Sequence, residues 1–114
     1  MSEKLIFVDV DDTLYSKNQR CVPLSAAQAL HQAQKNGHKV FINTGRPFVY
    51  FEKEILDLGL DGLLCCNGIH LVIDGQTVYH QTVPKPVMHQ IMKSCEQHGI
   101  YGTLEGAKAS YFRN

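Results

Sequence analysis

Residues 5–8, Leu-Ile-Phe-Val, run without a break into three carboxylates, Asp9, Asp11 and Asp12, and this junction constrains the fold more than any other stretch. Four consecutive large apolar residues suit a short strand buried on both faces, as in a parallel sheet. Carboxylates are costly to bury unless they are paired or bind a metal. Placing them where such a strand ends therefore points to a site rather than a surface. Strand residues alternate faces, so a fully extended chain directs Asp9 and Asp11 the same way and Asp12 the other. Two convergent carboxylates suit a hard, oxygen-seeking cation such as magnesium. The plain alternative is an acidic turn, since Asp is common in turns. The apolar run before the carboxylates and Thr13-Leu14 after them favour the site.

The rest of the chain supplies the partners of that strand. Residues 15–22 are polar and irregular, which reads as a loop or short hairpin. Residues 25–36 are rich in Ala, Gln and Leu and predict a helix, with Ser25 as N-cap and Gly37 as the stop. Residues 39–43, K-V-F-I-N, form a second buried strand that ends in Thr44-Gly45-Arg46-Pro47. Phe48, Phe51, Ile55 and Leu58 are spaced for one apolar face, which predicts a helix over 48–58. A third strand over 62–66 ends in Asn67-Gly68. This strand–helix–strand–helix–strand order predicts a parallel α/β sheet with right-handed crossovers. Strands over 70–73 and 77–80 flank Asp74-Gly75-Gln76, a hairpin pattern. Pro84 and Pro86 mark a boundary. A helix over 87–98 and strands near 100–104 and 109–112 follow it.

Composition narrows the class. In 114 residues, eleven basic side chains balance eleven acidic ones, so no general affinity for nucleic acid or an anionic membrane is expected. No apolar stretch approaches membrane-spanning length, and no export signal opens the chain. Cys21, Cys65, Cys66 and Cys95 form no C-x-x-C pair and no zinc spacing. A reducing cytoplasm is therefore the expected location. Cys65-Cys66 reads as two buried small hydrophobes. The six histidines are scattered and read as surface or capping residues.

In open α/β sheets, ligands bind beyond the carboxyl ends of the strands. Here those ends are Asp9-Val10-Asp11, Thr44-Gly45-Arg46 and Asn67-Gly68. Thr44 offers a hydroxyl donor and Gly45 permits close backbone approach. Arg46 is suited to pair with an anion, although an arginine after a strand is more often solvated or in a surface ion pair. Carboxylates, a hydroxyl and backbone N–H donors together suit a phosphate handled through magnesium.

At this level a family resemblance emerges. Asp9-Val10-Asp11-Asp12-Thr13-Leu14 resembles the D-x-D-x-T-[LV] first motif of the haloacid dehalogenase-like (HAD) hydrolases. Residues 40–47, V-F-I-N-T-G-R-P, resemble their second motif in the form typical of Cof-type sugar-phosphate phosphatases. Asn67-Gly68 followed by a hairpin resembles the same branch. The resemblance implies a three-layer, Rossmann-like core with a parallel sheet, incomplete in this chain. Its N-terminal part would occupy residues 1–82, and residues 83–114 would begin an α/β cap. It also implies roles. Asp9 would be the nucleophile and a magnesium ligand. Asp11 would protonate the leaving group and then activate water, with its backbone carbonyl on the metal. Thr44 and Gly45 would hold the transferred phosphoryl group, while Arg46 and Asn67 would contact substrate. Asp12, where many Cof-type members have Gly, receives no catalytic role.

The family's later elements, a phosphate-steadying lysine and an acidic pair that completes the metal site, lie beyond the cap. Lys85, Lys93 and Lys108 occur in the wrong context to replace that lysine, and the chain is expected to stop inside the cap. Without the strand that carries the acids, residues 5–8 become a sheet edge, a known association liability. Two main expectations follow. One is a magnesium-dependent phosphatase acting on a small phosphorylated metabolite such as a sugar phosphate. The other is a non-catalytic remnant that binds phosphate or a partner, or forms a homodimer through its exposed edge. A phosphate-receiver domain ranks last, because it leaves T-G-R-P and the N-G hairpin unexplained.

Overall fold

A computed structural model describes residues 2–112. Its main sheet runs in the order β1 (Leu5–Val8), β2 (Lys39–Asn43), β3 (Gly62–Cys65), β4 (His70–Ile73) and β5 (Gln76–His80). The first three strands are parallel, as the alternation of elements predicts, and β4 and β5 are added antiparallel. Helix α1 (Leu24–Lys35) carries the chain from β1 to β2, and the single-turn helix α2 (Lys53–Leu56) lies between β2 and β3. Pairing of Val8 with Ile42 and of Ile42 with Leu63 places those side chains on one face of the sheet. That face carries the core. Val10, Leu14, Val22, Ile42, Ile55 and Leu58 cluster there, with Ala26, Ala27 and Leu30 of α1 packed against them.

The opposite face is barely covered, which corrects the expectation that the first strand is buried on both sides. Leu5 is 59% exposed and Phe7 51%. Both lie on the side away from the core, where the Phe7 ring stacks on Phe41 at 5.4 Å. β1 is also an edge strand. Four apolar residues in a row look alike whether one face or two are covered, so the run itself did not separate these cases.

Three local expectations also change. The helix expected over 48–58 is interrupted: a 3₁₀ turn at Phe48–Tyr50 is followed by extended Phe51 and Glu52, and only Lys53–Leu56 is α-helical. At this break the Tyr50 carbonyl and the Glu52 carboxylate both accept hydrogen bonds from Arg46 Nη1. α1 begins after Pro23 with no side-chain cap, so Ser25 lies inside the helix. His70 is buried rather than on the surface: its Nε2 meets Thr77 Oγ1 at 2.9 Å and its ring stacks on His80 at 4.4 Å. Burial, with His80 alongside, pushes its pKa down.

Other expectations hold with small shifts. Residues 15–22 close as a short hairpin through a Ser16–Cys21 bridge. The β4–β5 turn is Asp74-Gly75, both with positive φ (50° and 75°), as a tight two-residue hairpin turn requires. Cys65 is fully buried and Cys66 half-buried. Beyond Pro84 come α3 (Lys85–Gln97) and a separate two-stranded sheet of β6 (Thr103–Glu105) and β7 (Ser110–Phe112).

Asp61 fastens the loop that enters β3. Its carboxylate accepts the Val40 N–H at 2.8 Å and the Gln34 side-chain amide at 3.0 Å, and Lys39 lies 3.5 Å away. Burial pushes the Asp61 carboxyl up, but these donors together hold it below its ordinary value. Asp61→Ala strands the N–H of fully buried Val40 and is expected to cost about 1–3 kcal/mol. A lowered native pKa adds stability that is present above the unfolded value of about 3.9 and is lost as pH falls through the native one. Urea denaturation at pH 7 and pH 3 checks both claims: the gap between wild type and variant should narrow at pH 3.

Candidate active site

The chain leaves β1 through a tight turn rather than continuing extended. The carbonyl of buried Val10 accepts the N–H groups of Thr13, Leu14 and Tyr15 at 3.2, 3.0 and 2.8 Å. Regular face alternation therefore stops at Val8, and Val10 anchors the turn in the core. Asp9 is left exposed at the strand end. Asp12 adopts a left-handed conformation (φ 56°) and its exposed carboxylate lies 3.5 Å from Lys17.

Arg46 reaches back from the end of β2 to Asp11. Its Nε and Nη2 donate to the two Asp11 carboxylate oxygens at 3.0 and 2.5 Å, a bidentate fork. Nη1 donates to Glu52 at 2.7 Å and to the Tyr50 carbonyl at 3.1 Å, and the guanidinium carbon stands 5.8 Å from the Tyr15 ring centroid. The guanidinium is thus committed on every side, and its side chain is only 19% exposed. The hydrogen bonds from Arg46 hold the Asp11 carboxyl below the usual carboxylate range. Asp11 in return raises the pKa of Arg46. Residues Glu52 and Tyr15 were not expected from the sequence. Glu52 follows Arg46 by six positions across a proline-led turn, and no periodicity marks it.

Thr44 is 4% exposed, and its Oγ1 accepts the Arg46 backbone N–H at 3.1 Å. That bond does not use the hydroxyl proton, which is left to donate. The loop after β3 is knitted to the same place. Asn67 N–H donates to the Thr44 carbonyl at 3.0 Å, and Cys66 N–H to the Arg46 carbonyl at 3.0 Å. A Cβ on Gly45 would lie 3.3 Å from Asn67 Oδ1, so glycine allows this close approach. Cys66, Asn67 and Gly68 all have positive φ (51°, 58° and 93°). Two consecutive non-glycine residues in that region cost free energy, and such strain concentrates where function fixes the backbone. Asp11, Thr44, Gly45, Arg46 and Asn67 therefore form one connected network at the carboxyl end of the sheet, with Asp9 beside it.

Magnesium commonly uses one or two protein carboxylates and keeps waters or substrate oxygens as its other ligands. The exposed Asp9 carboxylate fits that demand. The turn's hydrogen bonds run to the carbonyls of Asp9, Val10 and Tyr15, leaving the Asp11 carbonyl unused by them. The Asp11 carboxylate is engaged with Arg46. Among the described residues, no group of three or more His, Cys, Asp or Glu side chains is arranged to hold a metal. The donor set suits a weakly held ion that phosphate oxygens help to bind.

An acidic turn after β1 and a Thr-Gly-Arg turn after β2 thus meet at the carboxyl ends of the parallel strands of an α/β sheet. The family model of the haloacid dehalogenase-like hydrolases matches residues 6–114, and the chain belongs to that family. Among curated proteins, phosphatase YwpJ of Bacillus subtilis is 31% identical over 111 residues, 95% of this chain and 38% of its own length. YkrA of the same organism is 33% identical over 99 residues, 85% of this chain and 37% of its own. The chain thus spans less than half the length of these relatives. BT1666 from Bacteroides thetaiotaomicron, described as a HAD-superfamily phosphatase, superimposes with a TM-score of 0.86 at 27% identity, over 100% of this chain and 42% of that one. BT4131, described as a HAD subclass IIB sugar phosphatase, does so at 0.81 and 26%, over 97% and 44%. Among the described residues, no helix is long and apolar enough to cross a membrane.

Proposed function

We propose that this chain carries the nucleophile-bearing part of a magnesium-dependent phosphate-monoester hydrolase that acts on a small phosphorylated metabolite, a sugar phosphate being the leading candidate. The carrying observation is the pairing of an exposed Asp9 with a held, ionised Asp11 two residues on, beside the buried Thr44 hydroxyl. Asp9 attacks phosphorus and the bond to the leaving oxygen breaks, giving an aspartyl-phosphate. Asp11 supplies a proton to the leaving oxygen. It then accepts one from the water that hydrolyses the acyl phosphate. Thr44 donates to a phosphoryl oxygen, and Gly45 leaves room for it. The Asp9 carboxylate and the Asp11 backbone carbonyl would hold magnesium, which would supply charge neutralisation for the phosphoryl group. To act as an acid, Asp11 takes up a proton, so its fork with Arg46 loosens when substrate arrives. The sugar-phosphate reading is supported by the likeness to BT4131.

The test is phosphate release from sugar phosphates and a generic aryl phosphate by the purified chain. The expected result is hydrolysis that chelator abolishes and magnesium restores. Folded protein that binds phosphate without releasing product would favour the non-catalytic reading. Hydrolysis indifferent to chelator would contradict the proposed chemistry.

A further inference from the structure

Glu52 occupies the N-cap of α2, the position from which a side chain commonly bonds the free N–H groups of a helix's first turn. It makes no such bond. Its carboxylate instead accepts from Arg46 Nη1 at 2.7 Å. With the Tyr50 carbonyl on the same nitrogen and Asp11 on Nε and Nη2, four of the five N–H donors of the guanidinium have partners. Asp11 alone would balance the charge of Arg46. A second carboxylate makes the cluster anionic, with one positive charge against two negative ones, and Asp9 adds another at the end of β1. Such a cluster repels a phosphate dianion. Yet an arginine next to Thr44 and Gly45 is otherwise the side chain best shaped to grip one.

We infer that Glu52 is a positioning residue that keeps Arg46 on Asp11 and stops its guanidinium from serving as a phosphate ligand. This rests on the phosphate site proposed at Thr44 and Gly45. A phosphate oxygen is a stronger acceptor for Nη1 than the Tyr50 carbonyl, and a charge-assisted bond of similar strength is needed to keep that nitrogen from it. Glu52 supplies that bond from a largely buried pair, in which the Arg46 side chain is only 19% exposed. An arginine drawn to the phosphate would bind substrate and transition state alike, which lowers KM without helping the chemical step. It would also leave Asp11 without the fork that orients its carboxylate.

Titration of the full chain with inorganic phosphate in metal-free buffer, followed through the Thr44 and Gly45 amide signals in NMR spectra, tests this without turnover. E52Q keeps the side-chain length and an acceptor oxygen and loses only the charge. It is expected to bind phosphate about three- to tenfold more tightly than wild type, the effect of one partly screened charge at close range. D57N removes the same charge from a neighbouring position, where the carboxylate pairs with Lys53, and should leave the affinity unchanged. In an R46A background E52Q should bring no gain. Wild-type affinity in E52Q, no phosphate binding by E52Q, an equal gain in D57N, or the same gain without Arg46 would each overturn the inference. In phosphate-ester hydrolysis, E52Q should lower KM and kcat together. Tighter phosphate binding by E52Q in a chain that hydrolyses no ester would uphold the role of Glu52 and count against the proposed reaction alone.

Discussion

Asp9→Asn is expected to reduce magnesium-dependent phosphate-ester hydrolysis by roughly a thousandfold or more, the scale seen when a covalent nucleophile is removed. An amide oxygen is a far poorer nucleophile than a carboxylate and carries no charge for a metal. Asp9 is exposed at the end of β1, so the change leaves the folded state nearly untouched, within about 0.5 kcal/mol. The pairing of lost turnover with unchanged stability is the informative outcome. Circular dichroism melting and a phosphate-release assay on the same preparation measure both. Retained turnover in a folded Asp9→Asn protein would remove Asp9 from the chemistry.

The second large effect belongs to Arg46. Arg46→Ala removes both donors from Asp11 and the contacts to Glu52 and the Tyr50 carbonyl. Because Asp11 and Glu52 are each 37% exposed, solvent screens part of the loss, and the expected cost is about 1–3 kcal/mol. Asp11 has a lowered native pKa, so its pairing adds stability above the unfolded value of about 3.9 and loses it as pH falls through the native value. The deficit of Arg46→Ala relative to wild type should therefore be full at pH 7 and shrink toward pH 3. Arg46→Lys keeps the charge but not the fork, and it should recover only part of the loss. Denaturation midpoints at the two pH values test both points. A deficit independent of pH would assign the role of Arg46 to packing against Tyr15 rather than to the Asp11 pair.

The site's outline was legible because its parts are local. An apolar run ending in Asp9 and Asp11, Thr44-Gly45 after a strand, and Asn67-Gly68 before a hairpin each follow from turn chemistry and strand patterning over a few residues. The parallel order of β1, β2 and β3 was legible from the alternation of elements. What stayed hidden depends on distance along the chain. Arg46 and Asp11 are separated by 35 positions, and nothing in either neighbourhood says that the arginine turns back on the carboxylate. The interruption after Tyr50 was hidden because Phe48, Phe51, Ile55 and Leu58 keep helical spacing, although extended Phe51 and Glu52 separate the two short turns. Phe7 and His70 were misplaced for the same reason in opposite senses. Which face of a strand meets helix α1, and which histidine falls under a hairpin, is decided by tertiary packing.

In the proposed reaction Asp9 becomes phosphorylated during turnover. Acid quenching during hydrolysis, followed by borohydride reduction and peptide mass spectrometry, converts an aspartyl-phosphate to homoserine at its own position. Homoserine is expected at residue 9 alone, and only when magnesium and a phosphate ester are both present. Turnover with residue 9 recovered as unmodified aspartate, or with the reduced residue elsewhere, would contradict it.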